Sequence, residues 1–392
     1  MQHKDAVIVV AGHTCLDVIP TLPAGLENLA SVLKPGEMLD VGPMVLSTGG
    51  SVSNTGLAMF RLGTPVRLVG KLGSDVIGRV TMDMFRQHDA ALAEYMVIAE
   101  GEGSSYTAIL SAPGLDRTFM HFSGPNDTFC TADIPDNALD GAAMFHFGYP
   151  SLMRMMYQNG GRELAVLMRR AKEYGLVTSL DISLPDPGTE SGKANWRDIL
   201  TRVLPYTDIF LPNMEETLFM LDRDRYESVK SESEKSAWAD ADVLDELALE
   251  MLAMGAAVIG IKLGADGMFL RTTRDRKRLS PLAEKLPIER GAWVDRQLIA
   301  PTFQVDVVGT TGAGDCAVAG FLTGLFRGFS AEQTLISAVA VGACNVEAMD
   351  ATSGVRSWEK VQERIQNGWA RREIKVPMRD WIWESTQGLW VG

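Results

Sequence analysis

The chain has 392 residues, 46% hydrophobic and 22% charged, a composition that excludes disorder and collagen-like repeats and leaves room for one large core or two ordinary ones. Lys and Arg number 37 against 50 Asp and Glu, a net charge of −13, so the average field repels a phosphate backbone and no nucleic-acid partner is expected. Any anionic ligand then needs a local device, such as a helix N-terminus or a bound cation.

The apolar run at 6–12 is far shorter than the ~18–20 residues that span a bilayer and lacks the flanks of a signal peptide. A cytoplasmic protein with no membrane segment is expected. Cys15, Cys130, Cys316 and Cys344 show no CxxC spacing, so reduced thiols are expected rather than a zinc centre or a disulfide framework.

Short β-branched runs over 6–10, 66–69, 144–147, 177–181, 208–211 and 258–262 predict strands. Stretches over 53–62, 76–88, 161–174, 244–254, 313–327 and 331–349 predict helices. Such alternation implies a doubly wound, mostly parallel α/β sheet, with any ligand outside the strand C-termini. Two stretches, 21–46 and 95–121, break the rhythm, with 106–110 and 118–121 extended; a small antiparallel lid and a pair of surface hairpins both suit them. The charged segments 222–242 and 274–278 read as solvated loops. Trp358, Trp369, Trp381, Trp383 and Trp390 crowd the last 35 residues, and a tail so built must bury its rings on the body or on a second subunit.

The run most able to carry chemistry is Gly309-Thr310-Thr311-Gly312-Ala313-Gly314-Asp315-Cys316, between an extended 303–308 and an apolar helix. A strand, a glycine turn and a helix start present backbone N–H groups and the positive end of the helix dipole, which is an anion hole. Asp315 then lies where a carboxylate could take the proton of an attacking hydroxyl during phosphoryl transfer, or could simply cap the helix. The same residues fit Gly-x-Gly-x-x-Ala with Ala317 last, but helix follows helix downstream, so the dinucleotide reading is minor. No Gly-x-x-x-x-Gly-Lys-Ser/Thr occurs, which removes a P-loop NTPase.

This run resembles the C-terminal signature of the PfkB family of ribokinase-like carbohydrate kinases. An N-terminal signature is similar to Gly49-Gly50-Ser51-Val52-Ser53-Asn54, followed by Gly63, Gly70 and Gly73-Ser74-Asp75-Val76-Ile77-Gly78. The resemblance covers roughly residues 6–356. It implies a ribokinase-like fold over 1–356, lid segments at about 15–48 and 90–125, and a tryptophan-rich extension at 357–392. It implies ATP-dependent phosphorylation of a hydroxymethyl group on a sugar or sugar-like alcohol. Asp315 would be the general base, with Gly312, Ala313, Gly314 and Asp315 as the anion hole. Asp17, Gly49, Gly50, Asn54 and Asn126 would bind the sugar. Asn213, Glu216, Lys262, Gly264, Gly267 and Asn345 would bind nucleotide, and Glu216 would hold magnesium through water. Lid pairing in the family makes a homodimer an open expectation.

Several departures accompany these matches. Gly309 replaces the signature's first Asp, which helps form a potassium site, so potassium dependence stays open, with Asp306 nearby. Lys262 replaces the family's Thr before Leu-Gly, and Ser183 and Pro185 stand where many members have Asn and Arg. No basic pair accompanies Asp17 and Asn54, which points away from an already phosphorylated acceptor; Arg117 is the lid residue that would reverse this. A nucleoside kinase, with His13, Phe122 or Tyr149 over the base, and a non-catalytic sugar or nucleotide sensor are the alternatives.

Overall fold

The first apolar run forms β1 (Val7–Gly12), buried along its whole length. Its side chains alternate between two cores, Ile8 and Val10 entering one and Val7, Val9 and Ala11 the other, as in a strand covered by helices on both faces. A computed structural model describes residues 6–23, 35–110, 118–230 and 240–392. The next strands are β2 (Cys15–Thr21), β3 (Gly42–Gly49), β4 (Val66–Val69), β5 (Lys71–Gly73), β6 (Val97–Ala99), β7 (Tyr106–Leu110) and β8 (Thr118–Phe122). They are followed by β9 (Ala142–Gly148), β10 (Val177–Asp181), β11 (Ile209–Phe210), β12 (Val258–Lys262), β13 (Met268–Thr272), β14 (Gln297–Ala300), β15 (Ile382–Glu384) and β16 (Leu389–Val391).

The main sheet has the order β15-β16-β14-β13-β12-β11-β10-β9-β1-β4. From β4 to β12 every pairing is parallel, and from β12 to β15 every pairing is antiparallel. All six predicted strands lie in the parallel part. Register sets Gly12 beside Gly148, and Gly148 beside Asp181, while a bridge sets Asn213 beside Lys262. One sheet edge therefore gathers strand ends that are far apart in sequence.

The segments that broke the rhythm form a second sheet, β3-β2-β7-β8, rather than separate surface hairpins, but it is not wholly antiparallel as expected, because β2 and β7 pair in parallel. Met44, Val45, Phe119 and Met120 on its two outer strands are more than half exposed. Arg117 lies outside the described residues.

Three local expectations need correction, and one expected helix is preceded by a further helical stretch. The run at 303–308 is not a strand. It makes one bridge, Phe303 to Arg371, and Val307 and Val308 remain exposed for want of a neighbouring strand. The helix expected over 161–174 is present, running to Glu173 after non-helical backbone at Gln158, Asn159, Gly160 and Gly161 that separates it from a short helical stretch starting at Arg154. The helix expected to reach 349 ends at Asn345. In the two charged segments, Arg223–Lys230 is helical, and Arg278 is no solvated residue: it ion-pairs with the buried Asp208 and donates to the Gly255 carbonyl at 2.7 Å. In the tail, β16 pairs with β14 and the Trp369 ring stacks on Phe303 at 4.2 Å. Among the described residues no helix is long and apolar enough to cross a membrane.

Candidate active site

The helix Ala313–Phe326 starts without a side-chain cap, at Gly312 with φ 72°. That left-handed backbone favours glycine, and a Cβ there would strike the Ala351 backbone. The turn is thus held against a second segment while its first N–H groups stay open. Ala313 donates back to the Thr310 carbonyl at 3.3 Å, which removes it from the expected set of anion donors and leaves Gly312, Gly314 and Asp315. Asn345, expected at the nucleotide, instead donates to the Thr311 carbonyl at 2.8 Å and braces this loop.

Asp315 stands in the first turn, buried. Its Oδ2 accepts from Asn54 Nδ2 at 3.0 Å and its Oδ1 from the Thr55 hydroxyl at 3.4 Å. The Tyr149 hydroxyl reaches both oxygens, at 2.8 and 2.9 Å. Burial raises the Asp315 pKa, opposed by these donors and by the Lys262 charge. The Tyr149 hydroxyl is driven well above its ordinary range by burial and by the Asp315 charge, so it is a donor at neutral pH. Tyr149, directly after β9, has left-handed backbone with φ 64°.

On the other side of Asp315 the end of β12 supplies Lys262, whose ammonium pairs with Asp181 Oδ1 at 2.6 Å. Burial works against that ammonium, but Asp181 and Glu216 hold its pKa up. The same burial pushes the Asp181 and Glu216 carboxyls up despite Lys262. Asn213 and Glu216 form a reciprocal N-terminal capping box, with Glu216 Oε2 accepting from the Asn213 N–H at 2.6 Å. A cavity of about 440 Å³ joins Tyr149, Glu216, Lys262, Gly264, Gly267 and the 312–315 turn. Its buried carboxyls outnumber its ammonium, so a cation entering with an anionic ligand would relieve them.

The remaining residues approach from the lid. Asp17 is on β2 opposite the end of β3, so close that a Cβ at Gly49 would lie 2.5 Å from both carboxylate oxygens. Burial pushes Asp17 up to about 6, against donors from Cys15 and Thr107. Gly50 packs on His13 and precedes the helix Ser51–Arg61, which carries Asn54 and Thr55. Asn126 is a correction: it is fully buried, and its amide exchanges bonds with Thr14 N–H and carbonyl and with the Ser123 carbonyl. It braces the lid root rather than facing a ligand. Asp306 is exposed, and a side chain at 309 would press on the Ala348 and Met349 carbonyls.

The motifs alone left unassigned the bonds of Tyr149 and Thr55 to Asp315 and the pair formed by Asp181. The available signal was position, since Tyr149 and Asp181 close parallel strands at the ligand-bearing edge.

An open helix start with a buried carboxylate, an ammonium beside it and a lid above is the arrangement of a phosphotransferase with an alcohol acceptor. Residues 6–358 match the model of the pfkB family carbohydrate kinases, and the chain belongs to that family. An uncharacterized sugar kinase of Archaeoglobus fulgidus is 26% identical over 71% of this chain and 89% of its own length. A probable fructokinase-4 of Arabidopsis thaliana is 24% identical over 81% and 82%. The crystal structure of a ribokinase from Thermotoga maritima superimposes with a TM-score of 0.65 at 18% identity, covering 92% of this chain and all of that one. The fold is ribokinase-like, and the protein is a carbohydrate kinase.

Proposed function

We propose that the protein transfers the γ-phosphoryl group of ATP to a hydroxymethyl group of an uncharged sugar or sugar-like alcohol. The observation that carries this is Asp315, a buried carboxylate in the first turn of an open helix that accepts bonds from Asn54 and Tyr149 and lines one cavity with Tyr149 and Lys262. Asp315 takes the proton of the acceptor hydroxyl as its oxygen bonds to phosphorus, and the bond to the bridging oxygen breaks to leave ADP. The Gly312, Gly314 and Asp315 N–H groups, with the Lys262 ammonium, stabilise charge on the transferring phosphoryl. Magnesium fits the carboxylate-rich cavity, with Glu216 holding it through water, and would screen the phosphate charge. On the lid side Asp17 and Asn54 orient the acceptor. Exposure of Asp306 and crowding at Gly309 support turnover without potassium.

A nucleoside acceptor is the second reading, favoured by ring planes that meet near Asp17: His13 lies 5.1 Å from His121 and 6.3 Å from Tyr149, between centroids. The test is ADP formation with magnesium over sugars, polyols, sugar acids and nucleosides, with and without potassium. Asp315→Asn is expected to lower turnover with the best acceptor by about 10²–10⁴-fold. Undiminished turnover in that variant would refute the mechanism, and stimulation by nucleosides alone would select the second reading.

A further inference from the structure

His13 follows β1, Cys15 opens β2, and His121 sits on β8, so three residues from the body and the lid converge beside Asp17. His13 Nε2 and His121 Nε2 face each other at 3.3 Å. That is long for a hydrogen bond between ring nitrogens. It equals the edge of a coordination tetrahedron, since two Zn–N bonds of ~2.0–2.1 Å place their nitrogens about 3.3–3.4 Å apart. Cys15 Sγ lies within 4.8 Å of both nitrogens, where an ideal nitrogen–sulfur edge is about 3.6 Å.

The surroundings suit a metal better than they suit three neutral groups. His121 Nδ1 is bonded to the Thr107 hydroxyl at 3.0 Å, the outer-sphere contact that orients a ligating imidazole and leaves Nε2 free. Asp17 Oδ1 is 3.4 Å from Cys15 Sγ, so a divalent ion with one thiolate and one adjacent carboxylate closes to zero net charge beside the buried His13 and Cys15. Nitrogen and sulfur donors select a borderline-soft ion over magnesium.

We propose that His13, Cys15 and His121 form a binding site for a zinc-class divalent cation at the root of the lid, its fourth position open toward Asp17 and the acceptor. Binding displaces the Cys15 thiol proton to solvent as the metal–sulfur bond forms. A loaded site ties β8 to the turn between β1 and β2 and competes with the acceptor; that second consequence rests on the kinase reading, while binding itself does not.

The test uses the full, tag-free chain stripped with chelator and titrated with Co²⁺, then Zn²⁺, in the absence of nucleotide. One equivalent of Co²⁺ is expected to give tetrahedral visible bands and a near-ultraviolet sulfur-to-cobalt band, both abolished by Zn²⁺. Cys15→Ser is expected to lose the sulfur band. His121→Ala, on the lid surface strand, is expected to weaken Zn²⁺ by about 100-fold or more, since outer-sphere partners alone reach ~10–100-fold. Absence of the bands in the native chain overturns the site, as does their survival in both variants. If the bands form and depend on these residues but no acceptor is ever turned over, the site stands and the kinase assignment falls.

Discussion

The Lys262 charge acts on Asp181, Glu216 and Asp315 together, and its removal should reveal how strongly those carboxyls depend on it. Its side chain is 11% exposed and that of its partner Asp181 1%, with 2.6 Å between them. Breaking a pair this buried from one side leaves an uncompensated charge and costs about 3–5 kcal/mol. For an unfolding slope of roughly 3 kcal/mol/M or a little more, as expected of a large domain, Lys262→Met should lower the urea midpoint by about 1 M at pH 8. The loss should shrink toward pH 5. Carboxyls whose folded pKa is raised favour the folded state while protonated, and that contribution disappears as pH rises through the folded value. Adding Asp181→Asn should restore most of the lost stability, because the orphaned charge is then gone, without restoring turnover. The assay is urea unfolding followed by tryptophan fluorescence at pH 5 and 8 for the native chain, both single variants and the double variant. A loss below about 1 kcal/mol for Lys262→Met, or a double variant no better than the single one, would refute the claim that Lys262 compensates buried charge.

Two further outcomes follow from the lid side of the site. Asp17, pushed up to about 6 from 3.8 by burial, strains the fold once ionised, so Asp17→Asn should stabilise the chain by about 3 kcal/mol at pH 7 and not at pH 4. The same variant should lose acceptor turnover, and the native kcat/KM should rise with pH through about 6; a midpoint unchanged at pH 7 would contradict the assigned burial. Tyr149→Phe removes a donor from the Asp315 carboxylate worth about 1.5–3 kcal/mol, or roughly 1–2 pKa units. The titration of the Asp315 carboxyl, followed by carbon-13 NMR of labelled aspartate, should therefore move upward in the variant, and an unmoved titration would show that Tyr149 does not govern Asp315.

What could be read from the sequence, and what could not, divides along the range of the interactions. The parallel strands were legible because burial on both faces writes a continuous apolar run, as at Val7–Gly12. The valines at 307 and 308 carry the same local signal and yet stay exposed, because a strand needs a neighbour and no local pattern supplies one. Strands β13 to β16 were missed for the converse reason: they join the sheet through antiparallel pairings, two of them from a tail whose tryptophans signal only that burial must occur somewhere.

The site divides in the same way. A glycine turn opening a helix is a backbone device, so Gly312 and Gly314 announce it in four residues. The tuning of Asp315 is not local, since Tyr149 lies 166 residues away and Asn54 lies 261 away. Asn126 and Asn345 show the limit most plainly. Asparagine at a motif position is equally suited to hold a ligand or a carbonyl, and here both amides hold backbone. The choice is made by register across the sheet edge, which brings Gly12, Gly148 and Asp181 level and so decides which side chains reach the cavity. A motif therefore fixes the backbone of this site, while the proton affinity of its carboxylate is set by residues that only the assembled sheet brings together.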